Sequence, residues 1–354
     1  MKNTAFTYIF FGEGMDANDS LEKILKAIED GKNIILYGPG GCGKTYTLRI
    51  IASHLKKIKK KVYCTATTGV AALNLNNPEE QISASTLHRW AGIGLARGSA
   101  KKICNRVQHD ERSGKRWKYA DALIIDEVSM LGASLFDKLD FIGKYIRLNN
   151  KSPFGGLQLI LSGDFLQLPP VKDSWVFKSV AWSKLSLLPF VLETPKRYDD
   201  VNYFEMLLRI RKGLHNSSDI KKLRRRVKAY SKLLKILKDV NTDDVIKPTI
   251  LYSKKINVNH HNSEELRKLP GDIVQYAAED NFKAFKKKVN LDHYVQRLDD
   301  AIPKVLSFKV GAQVMLKCNL DVEGGLVNGS RGVVLAVEPH QLYVRFINGT
   351  KLKV

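Results

Sequence analysis

The chain has 354 residues, which at ~150 residues per domain is room for two domains with real cores and too much for a lone small module. Hydrophobic residues at 44% and charged residues at 27% are ordinary globular values and exclude wholesale disorder. Lys and Arg number 58 against 36 Asp and Glu, and the resulting formal charge of +22 points to a polyanionic partner.

The N-terminus, MKNTAFTYIFFGEG, carries a short apolar stretch with no small-residue cleavage pattern after it, so residues 1–19 read as a strand or arm and not as a signal peptide. No apolar run approaches the ~18 residues of a membrane span. Cys42, Cys64, Cys104 and Cys318 are too far apart for a structural zinc site, and a reducing compartment, cytoplasmic or nuclear, fits best; a disulfide pair stays open.

The first strong signal is NIILYGPGGCGKTYTLRIIASHL. Asn33 to Tyr37 reads as a buried strand, Gly38 to Thr45 as a glycine loop, and Leu48, Ile51, Ala52 and Leu55 recur with helical spacing. Glycines at this spacing let backbone N–H groups of Gly38, Gly40, Gly41, Cys42 and Gly43 close around phosphate oxygens, with the helix N-terminus adding positive potential. Lys44 suits the β and γ phosphates of ATP, and the Thr45 hydroxyl suits Mg²⁺.

Arg97 to Lys118 is basic without clear periodicity and reads as an exposed loop or irregular insertion. ALIIDEVSM, Ala122 to Met130, is then a buried strand ending in two acids. Alone it is as readily a surface turn; after a phosphate loop, Asp126 becomes a ligand of the Mg²⁺ shell and Glu127 the acceptor that polarises the attacking water. A third apolar strand, Leu157 to Ser162, runs into GDFLQLPP, where Asp164 and Gln167 sit at a strand's carboxyl end, in reach of bound nucleotide.

Residues 209 to 238 carry twelve basic residues against the single acid Asp219, half of the whole excess. Ile220, Leu223, Val227, Tyr230, Leu234 and Leu237 follow helical spacing, so the segment reads as an amphipathic helix with a basic outer face, either solvated or in contact with phosphates. Near the C-terminus, Asn328-Gly329-Ser330-Arg331 reads as a hairpin turn, and LYVRFINGTKLKV as two strand-like runs around Asn348-Gly349.

GPGGCGKT, TATTGVAAL (Thr65–Leu73), STLHRWAGIG (Ser85–Gly94), IIDEVSML and GDFLQLPPV, in this order, closely resemble the motor motifs of the Pif-type DNA helicases of superfamily 1. RYDDVNYFEMLLRIRKG (Arg197–Gly213) resembles that family's arginine motif. The segments 249–271 and 310–334 resemble its second motor domain. The resemblance implies an α/β fold of tandem RecA-like P-loop domains, parallel sheets flanked by helices, with the first over 20–192 and a second, incomplete one over 193–354. It implies ATP- and Mg²⁺-dependent 5′-to-3′ translocation on single-stranded DNA and unwinding of duplexes and forks, in replication, recombination, repair or telomere maintenance. It places Arg197, from the second domain, at the γ-phosphate. It places Thr67, Thr68 and Gly69 along the DNA backbone, with His88 and Trp90 in the next strand-contacting segment. Read without the resemblance, His88 and Trp90 are more often core or surface residues; the resemblance also makes Asn328-Gly329-Ser330-Arg331 a DNA contact as readily as a plain turn. A monomer is favoured.

Three departures stand out. Leu21 occupies the position of the family's adenine-reading glutamine, and Tyr198 follows Arg197 where the family has glutamine. Two late motifs of the family, one with an arginine that completes the ATP site, are not found before Val354, which leaves open a helicase-derived single-strand-binding module without turnover of its own.

Overall fold

A computed structural model describes residues 21–239, 249–278 and 303–353, less 318–319, 322–323, 325, 327–328 and 340, and side chains of the long basic helix up to residue 233. The expected N-terminal arm, Cys318, Asn328 and the side chains of Leu234 and Leu237 lie outside the described residues. The chain divides into two compact units, one ending at Leu223 and one beginning at Arg224.

The first unit is built on a six-stranded parallel sheet of β1 (Ile34–Tyr37), β2 (Val62–Ala66), β3 (Ala84–Thr86), β4 (Ala122–Asp126), β5 (Gln158–Gly163) and β6 (Leu188–Val191). Their order is β3-β2-β4-β5-β1-β6. Parallel strands need crossover helices, which cover both faces, so the central strands are apolar on both sides. Ile34, Leu36, Ile124 and Ile160 face α1 (Leu21–Glu29) and α2 (Lys44–Lys57), against Ile24, Ile28, Leu48, Ile51 and Leu55. Ile35, Leu123, Ile125, Leu159 and Leu161 face the opposite layer with Val107, Trp117, Phe136, Leu139 and Ile142. Each such side chain, fully buried, contributes roughly 1.5–3 kcal/mol of transfer free energy.

Between α2 and the basic stretch 97–118 lie two short helices, α3 (Gly69–Leu75) and α4 (Leu87–Ala91). The basic stretch itself, expected as a loop, forms two helices, α5 (Ala100–His109) and α6 (Glu111–Tyr119), separated by Asp110. Ser99 caps the first and Asp110 the second, each accepting from the backbone N–H of the third residue on. Helix α7 (Ala133–Ile146) then packs against a tight turn at Pro153–Gly156, where Gly143 meets the Phe154 backbone so closely that a Cβ would stand 2.7 Å from its carbonyl oxygen. A short helix, α8 (Val180–Ser183), precedes β6, and α9 (Val201–Arg211) and the start of α10 (Ser217–Asp239) follow it. Helix α10 agrees with the expected amphipathic helix, but its apolar stripe is not covered: every residue from Lys221 to Leu233 is exposed.

The second unit holds α11 (Lys255–Lys268), an antiparallel pair β7 (Val274–Ala277) and β8 (Val305–Phe308), and a four-stranded antiparallel sheet. That sheet consists of β9 (Gln313–Met315), β10 (Arg331–Glu338), β11 (Gln341–Phe346) and β12 (Lys351–Lys353), with Ala312, Leu326, Val334, Leu342, Val344 and Phe346 as its core. The expected strands around Asn348-Gly349 are β11 and β12. The hairpin turn expected at 328–331 includes Asn328, which lies outside the described residues. β9 and β10 are joined by an excursion, closed at its base by Leu316 N–H donating to Ser330 O (2.9 Å) and Gly329 N–H donating to Leu316 O (2.9 Å).

Candidate nucleotide site

The parallel register places the carboxyl ends of β1, β4 and β5 on one edge, with Tyr37 beside Gly163 and Ile125 beside Leu161. Gly38 to Thr45 therefore begins beside Asp126 and Asp164, at the edge where open α/β sheets bind ligands. Two glycines of the loop are forced: a Cβ at Gly38 would overlap the Leu192 carbonyl, and Gly41 has φ +88 with the Tyr198 ring 2.6 Å from where its Cβ would lie.

Lys44 is buried and donates to the carbonyls of Gly38 (2.6 Å) and Pro39 (2.8 Å). Burial lowers its pKa, while the negative charges of Asp164, Glu127 and Asp126 act in the opposite sense. The Thr45 hydroxyl donates to a carboxylate oxygen of Asp126 at 3.1 Å, a pair of oxygens that could hold Mg²⁺. Glu127 follows, just past the end of β4, in a left-handed conformation with φ +55. Burial raises its pKa, Asp126 adds to the rise, and Lys44 opposes it. Gln167 donates its amide to Asp164 at 3.2 Å and stands 3.5 Å from where a Cβ on Gly40 would lie. Lys44, Thr45, Asp126, Glu127 and Gln167, named from sequence, thus meet around one loop. Cys42 donates its thiol to Glu193 O at 3.4 Å, and burial pushes that thiol's pKa up.

The other expected residues are placed differently. Arg197 belongs to the first unit with the loop itself, its backbone N–H donating to Gly41 O at 3.1 Å and its side chain exposed. Thr67 donates its hydroxyl to Glu127 O (3.0 Å), and Thr68 caps α3 by accepting from Ala71 N–H (3.2 Å). Both hydroxyls are engaged within the protein, whereas Gly69 is exposed with open space around it. His88 is half-buried, and burial lowers its pKa. Trp90 is corrected to a core residue: it is 3% exposed, with its ring 4.7 Å from Trp117 and 5.8 Å from Tyr63. A side chain so enclosed has no face on which a base can stack.

Sequence reasoning missed Arg211 as a member of the site. It forms a two-pronged ion pair with Asp164 (2.6 and 2.7 Å) and donates to the Tyr37 hydroxyl (3.0 Å). The signal was present, since Arg211 lies in the arginine-rich segment and Asp164 in GDFLQLPP, but nothing in spacing joins two residues 47 apart.

The profile of the family described as PIF1-like helicase matches residues 16–247, well over half of the chain. The chain belongs to the PIF1-like helicase family. A second profile, DNA helicase Pif1, 2B domain, matches residues 298–337, so the stretch 310–334, assigned from sequence to a second motor domain, falls in the 2B region of the family. The chain is 40% identical over 331 residues to the ATP-dependent DNA helicase PIF1 of Saccharomyces cerevisiae, covering 91% of this chain and 36% of that protein. It is 37% identical to the Danio rerio protein of the same name, covering 89% and 46%. The chain thus spans less than half the length of these curated relatives. Its fold matches the crystal structure of Pif1 helicase from Candida albicans with a TM-score of 0.75 at 30% identity, over 96% of this chain and 78% of that one.

Proposed function

We propose that the chain is the motor of an ATP-dependent DNA helicase, coupling ATP hydrolysis to 5′-to-3′ movement on single-stranded DNA and to unwinding of duplex and forked DNA. The observation that carries this reading is the meeting of Lys44, Thr45, Asp126, Glu127 and Gln167 around one glycine loop. Family membership and the +22 charge support DNA as the polyanion.

The residues divide the work by chemistry. Loop N–H groups and Lys44 bind the phosphates once Lys44 exchanges the carbonyls of Gly38 and Pro39 for phosphate oxygens. Thr45 and Asp126 would hold Mg²⁺, which when bound supplies charge neutralisation at the phosphate oxygens. Glu127, when ionised, takes the proton of the attacking water, and Gln167 reads the γ-phosphate position from the end of β5. Arg197, at the loop's rim, is the candidate cation for the transferring phosphoryl group. The DNA contacts of Thr67, Thr68, Gly69 and His88, and a monomeric state belong to the same proposal. Among the described residues no helix is long and apolar enough to cross a membrane.

The test is phosphate release with and without single-stranded DNA, in the unsubstituted chain, Lys44→Ala and Glu127→Gln. DNA-stimulated turnover that both substitutions abolish is expected. Salt-sensitive DNA binding without any turnover in the unsubstituted chain would replace the motor with a binding module.

A further inference from the structure

Asp164 is the most completely enclosed carboxylate next to the loop. It is 0% exposed, and both its oxygens are engaged: one accepts from Arg211 Nη2 (2.6 Å) and Leu166 N–H (3.1 Å), the other from Arg211 Nε (2.7 Å) and Gln167 Nε2 (3.2 Å). Arg211 is the last residue of α9, where the helix C-terminus favours a cation. Its guanidinium also lies over the Tyr37 ring, 5.7 Å from the centroid, and donates to the Tyr37 hydroxyl. The planar fork is thus fixed from three sides, by residues at the ends of β1 and β5 and by its own helix.

A buried ion pair is a poor way to gain stability alone, since an apolar pair of similar volume commonly does as well. What this one does geometrically is specific. Asp164 is the group that holds the Gln167 amide, and Gln167 stands against Gly40 of the phosphate loop. Asp164 also acts electrostatically on Lys44. With its two strongest donors removed, the carboxylate would turn toward the nearest remaining cation, and Gln167 would lose its anchor.

We propose that Arg211 is a positioning residue for phosphoryl transfer: through Asp164 it fixes the Gln167 amide at the γ-phosphate side of the loop. The proposal rests on the ATPase reading above. It makes α9 part of the hydrolytic apparatus without touching substrate, and it predicts that Arg211 and Gln167 act as one unit in turnover.

The experiment uses the full chain with saturating single-stranded DNA and compares Arg211→Gln, Arg211→Lys, Gln167→Ala and the double variant Arg211→Gln/Gln167→Ala. Steady-state ATP hydrolysis is measured beside thermal melting. Arg211→Gln is expected to lower kcat about tenfold with KM for ATP held within about twofold, as for an interaction expressed only in the transition state. Arg211→Lys, which keeps the charge and loses the fork, should recover part of that loss. The double variant should be no slower than Gln167→Ala, because residues acting through one another are not additive. Multiplicative losses in the double variant, or a rise in KM at unchanged kcat, overturn the proposal, as does a kcat loss that Arg211→Lys leaves unrelieved. Lys44→Ala run alongside separates the two levels: if it turns over ATP like the unsubstituted chain, the ATPase reading itself is wrong and the positioning role goes with it.

Discussion

The Thr45 hydroxyl and the Asp126 carboxylate, 81 residues apart in sequence, stand 3.1 Å from one another and tie the first turn of α2 to the end of β4. Two oxygen donors at that separation serve a cation's inner shell only if both stay in place. Asp126→Ala is therefore expected to lower ATP turnover by at least about 100-fold at millimolar Mg²⁺, and Thr45→Ala to raise the Mg²⁺ concentration needed for half-maximal turnover by about tenfold. An Mg²⁺ titration of hydrolysis reads both. Turnover in Asp126→Ala with the unsubstituted Mg²⁺ dependence would remove Asp126 from the metal site.

Glu127 is half-buried beside Asp126, and both burial and that neighbouring charge hold its pKa above the ordinary carboxylate range. In its proposed role Glu127 acts only when ionised, so turnover should fall as pH drops through this raised value, and the acid limb of the kcat/KM profile should lie above that of a free carboxylate. If Glu127 is the proposed general base, Glu127→Gln should lower kcat by about 10²–10⁴-fold and abolish the limb. ATP binding should persist. A Gln variant that keeps the limb would place the titrating group elsewhere.

The first-unit fold and the gathering of Lys44, Thr45, Asp126, Glu127 and Gln167 around one loop were legible because each depends on local pattern. GPGGCGKT needs only its own glycines, and the strand ending in Asp126 and Glu127 is an unbroken apolar run. The pair α5 and α6 was not legible, because the buried residues Ile103, Cys104, Val107 and Trp117 are thinly spread among basic ones, and Gly114 falls inside the second helix. What fixes these helices is tertiary: the Trp117 indole N–H donates to Ala91 O, and Arg116 to Trp90 O. Trp90 failed for a related reason. A tryptophan beside a half-buried histidine reads the same in sequence whether its ring faces DNA or another tryptophan.

That placement of Trp90 has a measurable consequence. Trp90→Ala should destabilise the chain by about 3–5 kcal/mol, as large-to-small core changes do, and show it as a lower melting temperature. Trp90→Phe should cost less, because it keeps an aromatic ring against Trp117. The affinity of folded Trp90→Phe for single-stranded DNA should match that of the unsubstituted chain. A weakened affinity at an unchanged melting temperature would return Trp90 to the DNA interface.

Arg147, on the turn after α7, donates to the carbonyls of Trp117 (2.9 Å), Ala120 (2.8 Å) and Gly155 (3.0 Å) and so joins α6, the approach to β4 and the Pro153–Gly156 turn. Burial lowers its pKa, yet a guanidinium stays charged at any working pH. Arg147→Met fills much of the same space and strands three acceptors, so it is expected to cost about 2–3 kcal/mol in chemical unfolding. Arg147→Lys, with one donor group where the fork had several, should fall between. If Arg147→Met unfolds at the unsubstituted denaturant midpoint, these carbonyls do not depend on Arg147.

The exposed basic face of α10 carries the last prediction. The one acid among its described side chains, Asp219, is enclosed by Arg209, which donates to both carboxylate oxygens (2.7 and 2.9 Å) and holds its pKa down at about 2. From Lys221 to Leu233 the helix therefore presents basic charge without an acid to offset it. If these side chains meet DNA phosphates, replacing Arg224, Arg225 and Arg226 with Ala should weaken single-strand binding and flatten the log–log salt slope by about 0.7 for each phosphate no longer neutralised, so by about 2 in all. The control replaces Lys57, Lys59 and Lys60, also exposed but at the far end of α2, and removes the same charge. Equal losses from both triples would make the effect one of net charge alone. A flatter slope confined to the α10 triple would locate the phosphates on that helix, because a general field acts on encounter without fixing which counterions are released.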